Sequence, residues 1–226
     1  LLELDKYASM SIQYSRGCPF NCEFCSITFL NGRKPRTKKA GQFIAELESL
    51  YRIGWRGSVF VVDDNFIGNI ARVKKDLLPA LAEWCRSREY PFKFMTEASV
   101  NLADDDSLIE SMVQAGFDAV FVGIETPDEK SLAACGKKQN TKGDLVSAVE
   151  KLHRSGLMVS GGFIVGFDED EGDIFERQIQ FIKKSRRCMD SMFLYKLSPI
   201  FCCMRKNFSV VYFNLGRFAD EISGCA

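Results

Sequence analysis

The stretch Arg16-Gly17-Cys18-Pro19-Phe20-Asn21-Cys22-Glu23-Phe24-Cys25 places three thiols within eight residues, directly after a short run, Ser11 to Ser15, that reads as a β-strand. Thiolates are soft ligands that suit iron-sulfur clusters and zinc. A cubane iron-sulfur cluster normally takes four of them, and only three are gathered here. A metal group held by Cys18, Cys22 and Cys25 therefore keeps one coordination position open, which separates catalytic from structural metal sites. The competing reading of these residues is a tetrahedral zinc site completed by a distant cysteine or by the single histidine, His153. Against it, His153 falls inside a predicted helix and no second CxxC pair appears.

Working outward from the cysteines, short apolar and β-branched runs alternate with longer segments of helical period. Predicted strands are Ser11 to Ser15, Ser58 to Asp63, Phe92 to Ala98, Ala119 to Glu125, Val159 to Gly166 and Met192 to Leu197. Predicted helices run from Gly41 to Ile53, Arg72 to Ser87, Asp105 to Ala115, Lys142 to Ser155 and Gly172 to Lys184. Gly54, Gly116 and Gly156 each follow a helical run where a left-handed C-terminal cap is wanted. This alternation predicts an α/β fold in which parallel strands and crossover helices form a partial (β/α)6, TIM-like barrel. Chemistry in such folds collects at the loops leaving the C-terminal strand ends.

At those ends stand Asp63 and Asp64, in Val61-Val62-Asp63-Asp64-Asn65-Phe66, together with Glu97 and Glu125. A carboxylate there suits a cationic amine, and paired acids at a strand end also serve as Asx-type caps. The last strand before the final helix carries Gly162-Phe163-Ile164-Val165-Gly166-Phe167-Asp168-Glu169, whose glycines allow a ligand to approach the backbone closely. The acidic run from Asp168 to Asp173 reads as a solvated helix N-terminus, favoured by the helix dipole.

Cys18, Cys22 and Cys25, with the aromatic Phe24 before the last of them, resemble the CxxxCxΦC signature of the radical S-adenosylmethionine (radical SAM) superfamily. The resemblance runs from about Tyr7 to Lys184. It implies a 4Fe-4S cluster on the three cysteines, whose open iron is chelated by S-adenosylmethionine, and reductive cleavage of that cofactor to a 5'-deoxyadenosyl radical. By the same resemblance Phe24 packs near the adenine, Asp63 or Asp64 holds the methionyl amine, and Glu125 meets the ribose or carboxylate. Glu97 is a weaker analogue of Glu125, and Gly162, Ile164 and Gly166 line the adenine wall, as in the family's GxIxGxxE pattern. The strings Arg16-Gly17-Cys18, Gly54-Trp55-Arg56-Gly57 and Asp63-Asp64-Asn65-Phe66 resemble the cobalamin-dependent subclass, in particular hopanoid C-2 methylase-like members, which methylate unactivated carbons. That subclass binds cobalamin in a domain before the radical domain, so cobalamin is expected here only with an upstream domain. The resemblance also implies a small-molecule or lipid substrate and an electron donor such as flavodoxin or ferredoxin.

Composition agrees with a globular chain: 226 residues, 46% hydrophobic and 27% charged, with thirty basic and thirty acidic residues. Zero net charge gives no general reason to expect nucleic acid as a partner. The basic stretch Arg33-Lys34-Pro35-Arg36-Thr37-Lys38-Lys39 reads as a solvated loop, with a phosphate or cofactor-carboxylate contact as the functional alternative. Nine cysteines, an odd count, with neither a signal peptide nor an apolar run of membrane-spanning length, predict a reducing cytoplasm. Cys85, Cys135, Cys188, Cys202, Cys203 and Cys225 read as structural thiols. The expected organisation is a linker over 1–10 from an upstream domain, a core domain over 11–200, and an atypical C-terminal tail over 201–226. The rival expectations are a zinc-binding interaction module and an inactive, truncated fragment.

Overall fold

Six of the apolar runs form parallel strands, and the core lies between one face of their sheet and the helices that connect them. The computed structural model describes residues 3–185 and the strand backbones of 189–196 and 209–213. First in the chain come β1 (Ser9–Ile12), β2 (Ser15–Arg16), α1 (Ile27–Asn31) and β3 (Arg36–Thr37). Then follow α2 (Ala40–Arg52), β4 (Ser58–Val61), α3 (Ile70–Arg72), α4 (Leu78–Ser87), β5 (Lys93–Ala98), α5 (Asp106–Gln114) and β6 (Phe117–Glu125). The chain continues through α6 (Glu129–Ala134), α7 (Leu145–Arg154), β7 (Met158–Val165), α8 (Ile174–Ser185), β8 (Met189–Lys196) and β9 (Ser209–Phe213).

The main sheet has the order β1-β4-β5-β6-β7-β8-β9, in which every pair is parallel except β8 with β9. Strands thus appear in chain order, as successive β-helix-β crossovers require. Among the described residues no ladder joins β1 to β9, so the barrel is partial.

Period-2 alternation assigns the two faces. Ile12, Val59, Val61, Phe94, Val120, Val122 and Val159 are buried in the core with Phe43, Leu47, Leu81, Leu108, Val149 and Leu152 from the helices. The alternate positions, among them Phe60, Met95, Glu97 and Phe121, stay partly exposed on the inner face. Register aligns Glu97 with Phe121, Phe121 with Ser160, and Gly123 with Gly162. Side-chain caps start the later helices: Asp105 accepts from the Leu108 N–H, Asp128 from that of Ser131, and Asp144 from those of Val146 and Ser147.

Several boundaries differ from the sequence expectation. The first strand ends at Ile12, and Ser15–Arg16 instead pairs antiparallel with Arg36–Thr37, so the basic stretch read as a loop contains a strand. The helix expected over 72–87 starts at Ile70 and widens into a π-turn at Val73–Leu77. Pro79 in the first turn of α4 has no N–H for the carbonyl four residues earlier, and a wider turn accommodates its ring. The short helices α1 and α6 were not foreseen, nor was β9. Of the scattered cysteines, Cys85 and Cys135 are buried free thiols, as expected. Cys188, Cys202, Cys203 and Cys225 lie outside the described residues.

Candidate active site

The cysteine loop leaves the sheet at the C-terminal end of β1 and is fastened by the residues that follow β4. Asp63, 1% exposed, accepts from the Tyr14 N–H at 2.7 Å, the Ser15 N–H at 2.7 Å and the Ser15 hydroxyl at 2.5 Å. Burial pushes its carboxyl up to about 6, against the lowering effect of those bonds. Asp64 accepts from the Gly17 N–H and the Asn31 side-chain amide, both at 3.1 Å. Gly17 has φ +103°, and a Cβ there would lie 2.8 Å from the Gly32 carbonyl oxygen, so the turn into Cys18 requires glycine. Asn65 is locked through Ser99, whose N–H it accepts at 3.2 Å, and it donates to the Ser99 hydroxyl at 3.0 Å and to the Cys18 Sγ at 3.8 Å. Asp63, Asp64 and Asn65 thus hold successive parts of the loop.

Cys18, Cys22 and Cys25 are free, half-buried thiols. Burial raises the pKa of the Cys22 and Cys25 thiols, with the Lys137 charge opposing the rise at both. Metal uptake must therefore displace protons. Among the described residues no three His, Cys, Asp or Glu side chains converge on one metal position. A cubane gives each cysteine its own iron and lets the sulfurs stand apart. His153 lies on α7 and joins no metal-binding group among the described residues. The donor set of three soft sulfurs, each facing an N–H donor, fits an iron-sulfur cluster; besides the two amides, the Ile27 backbone N–H faces the Cys25 thiol.

Across the site, Glu125 ends β6 after a bulge, with φ +65°, and forms an ion pair with Lys137 in which both side chains are 9% exposed. A left-handed backbone at a non-glycine residue costs about 1–3 kcal/mol and persists where surrounding structure enforces it. Here Asn140 supports the bend, donating its amide at 3.0 Å to the carbonyls of Gly123 and Ile124. The Lys137 ammonium also stands 5.6 Å from the centre of the Phe24 ring. Phe24 meets Phe167 edge-on at 5.9 Å. Lys137 and Gln139, the latter donating to the Cys22 Sγ at 3.7 Å, were missed by the sequence reading. Both come from the α6–α7 connection, which matches no motif, and only the density of polar residues after a strand end could have flagged it.

The other sequence candidates are placed as follows. Glu97 is half-buried on the inner face of β5, and burial with the Asp64 charge pushes its carboxyl up to about 7. Over Gly162 sits the Phe121 ring, 2.7 Å from where a Cβ would be, so in this structure that glycine makes room for a side chain. Ile164 is buried, and its carbonyl accepts from the Gln178 amide at 2.8 Å. The N–H groups of Gly166 and Phe167 donate to Asp170 at 2.8 and 3.0 Å, and Asp170 also accepts from the Ser131 hydroxyl at 3.0 Å. Asp170 therefore ties the turn after β7 to α6, which corrects its reading as part of a merely solvated helix start.

Residues 12–182 match the family model described as the Radical SAM superfamily. An uncharacterized methyltransferase of Synechocystis sp. is 55% identical over 185 residues, covering 82% of this chain and 34% of that protein. The hopanoid C-2 methylase of Rhodopseudomonas palustris is 43% identical over 186 residues, covering 82% of this chain and 35% of that protein. The chain thus spans about a third of the length of these relatives. Among solved structures, the radical S-adenosylmethionine methyltransferase TsrM from Kitasatospora setae, with tryptophan substrate and a SAM analog bound, superposes with a TM-score of 0.71 at 17% identity, over 83% of this chain and 35% of that one. The likeness confirms the expected partial barrel.

Proposed function

This chain belongs to the radical SAM superfamily, and on that premise we propose that Cys18, Cys22 and Cys25 hold a 4Fe-4S cluster in a protein that methylates an unactivated carbon of a small-molecule or lipid substrate. The carrying observation is the cysteine loop itself: three half-buried free thiols at a strand end, each facing an N–H donor, on a loop that Asp63 and Asp64 fasten. When bound, the cluster supplies the electron that cleaves S-adenosylmethionine reductively to a 5'-deoxyadenosyl radical.

The chain's own residues bind and orient. Phe24 offers an aromatic face beside the cysteines for the adenine. Lys137, held by Glu125, is the partner for the cofactor carboxylate, while Glu125 or the outer oxygen of Asp64 meets its hydroxyls and amine. Gly166 and Ile164 shape the wall below. The methyl-transfer part of the proposal is supported by the methylase relatives, and cobalamin enters it only with a further domain, in keeping with the greater length of those proteins. We place the protein in the reducing cytoplasm, which the free thiols favour; no helix among the described residues is long and apolar enough to cross a membrane. The electron donor in this proposal is a flavodoxin or ferredoxin.

The proposal predicts that each of Cys18→Ala, Cys22→Ala and Cys25→Ala abolishes cluster assembly and 5'-deoxyadenosine formation after anaerobic reconstitution, while far-UV circular dichroism stays unchanged. Iron analysis and chromatography of the products read this directly. Zinc retention at one ion per chain, with no iron bound, would refute it.

A further inference from the structure

Two side-chain amides of this chain are spent on sulfur. Asn65 Nδ2 lies 3.8 Å from the Cys18 Sγ and Gln139 Nε2 lies 3.7 Å from the Cys22 Sγ. Asn65 is 3% exposed and Gln139 7%, so neither amide has ready recourse to water. Each is fixed by its surroundings. Ser99 brackets the Asn65 amide, donating its N–H to Oδ1 and accepting from Nδ2. Gln139 sits in a single 3-10 turn, Lys138–Asn140, whose last residue is anchored to the β6 carbonyls.

A neutral thiol is a weak acceptor, and the arrangement around it is costly. The Gln139 Oε1 is buried without a hydrogen-bond partner, an expense of the kind that native structures rarely carry without a reason. The bonds become strong when the sulfur carries negative charge, because a charge-assisted hydrogen bond is about twice as strong as a neutral one. Iron ligation creates that charge, and reduction of the cluster increases it. Hydrogen bonds to the sulfurs of an iron-sulfur cluster are one of the determinants of its potential.

Resting on the proposed ligation by the three cysteines, we infer that Asn65 and Gln139 are positioning residues that set the cluster's reduction potential by donating N–H···S bonds to Cys18 and Cys22. In the step they bias, one electron passes from an external low-potential reductant to the cluster, and no bond in the protein forms or breaks. Both amides stabilise the more negative, reduced state, so their loss makes reduction harder.

The test is a dithionite titration of the anaerobically reconstituted protein, followed by electron paramagnetic resonance, for the unsubstituted protein and for Gln139→Met and Asn65→Asp. Gln139→Met keeps the side-chain length and removes the donor. Asn65→Asp keeps the acceptor for the Ser99 N–H and puts an oxygen where the donor was. With iron content unchanged, the midpoint potential of Gln139→Met is expected to fall by about 59 mV, a tenfold change in a one-electron equilibrium and the effect of about one hydrogen bond. Asn65→Asp is expected to fall further. Where Asn65→Asp fails to hold a cluster, Gln139→Met decides alone. A Gln139→Met cluster at the unsubstituted potential overturns this inference and leaves the ligation standing, whereas an unsubstituted protein that assembles no cluster overturns both.

Discussion

Glu97 is half-buried on β5 and makes no ion pair among the described residues; burial and the nearby Asp64 charge push its carboxyl up to about 7, from an ordinary 4.5. Its folded-state pKa lies above the unfolded one, so its contribution favours the fold below about pH 4.5 and is lost as pH rises through about 7. Glu97→Gln removes that dependence. Thermal unfolding of the cluster-free chain should show the variant more stable by on the order of 2–3 kcal/mol at pH 8 and no more stable at pH 4.5; equal stability at both values would show that the carboxyl is well solvated. Single residues were unevenly legible in the sequence. The cysteines announced themselves because soft ligands at close spacing have few other uses, and Glu125 because a carboxylate ends an apolar strand. Asn65 entered the sequence reading only as part of the string Asp63-Asp64-Asn65-Phe66, and nothing local in Gly136-Lys137-Lys138-Gln139 signals that a ring and a sulfur will lie beside it. Their roles arise from pairings across 47 and 117 residues, which periodicity does not register.

Between elements, the critical joint is the one from the end of β4 to the loop after β1. Asp63 receives three donations, from Tyr14 and Ser15, and Ala at this position leaves all three buried donors without an acceptor. Asp63→Ala is expected to destabilise the fold by about 3 kcal/mol, seen as a lower denaturant midpoint with unchanged slope. It should also slow cluster assembly, because the cysteine loop loses its anchor; a midpoint equal to that of the unsubstituted protein would show that water replaces the carboxylate there. Long elements were readable from sequence because their faces are regular: α2, α5, α7 and the six parallel strands lie within a few residues of expectation. Elements of five or six residues, α1 and α6, are too short for a 3.6-residue period to emerge. The π-turn before α4 was hidden for a related reason, since its apolar spacing still looks helical. β2 and β3 pair only two residues each and carry arginine on both strands, a pattern indistinguishable from a loop.

At the scale of the whole molecule, a parallel sheet in chain order brings the ends of β1, β4, β5 and β6 to one rim, and this is why residues far apart in sequence surround one loop. The architecture was legible because alternation of strand and helix admits few topologies. Substrate choice was not, since it depends on segments that decorate the rim rather than on the repeat that builds it. The measurement that bears most directly on the account is electron paramagnetic resonance of the anaerobically reconstituted, dithionite-reduced protein, recorded with and without S-adenosylmethionine. The account predicts a reduced 4Fe-4S signal whose shape changes when the cofactor is added, as direct ligation of an open iron requires. A signal indifferent to the cofactor, or no cluster signal at all, would contradict it.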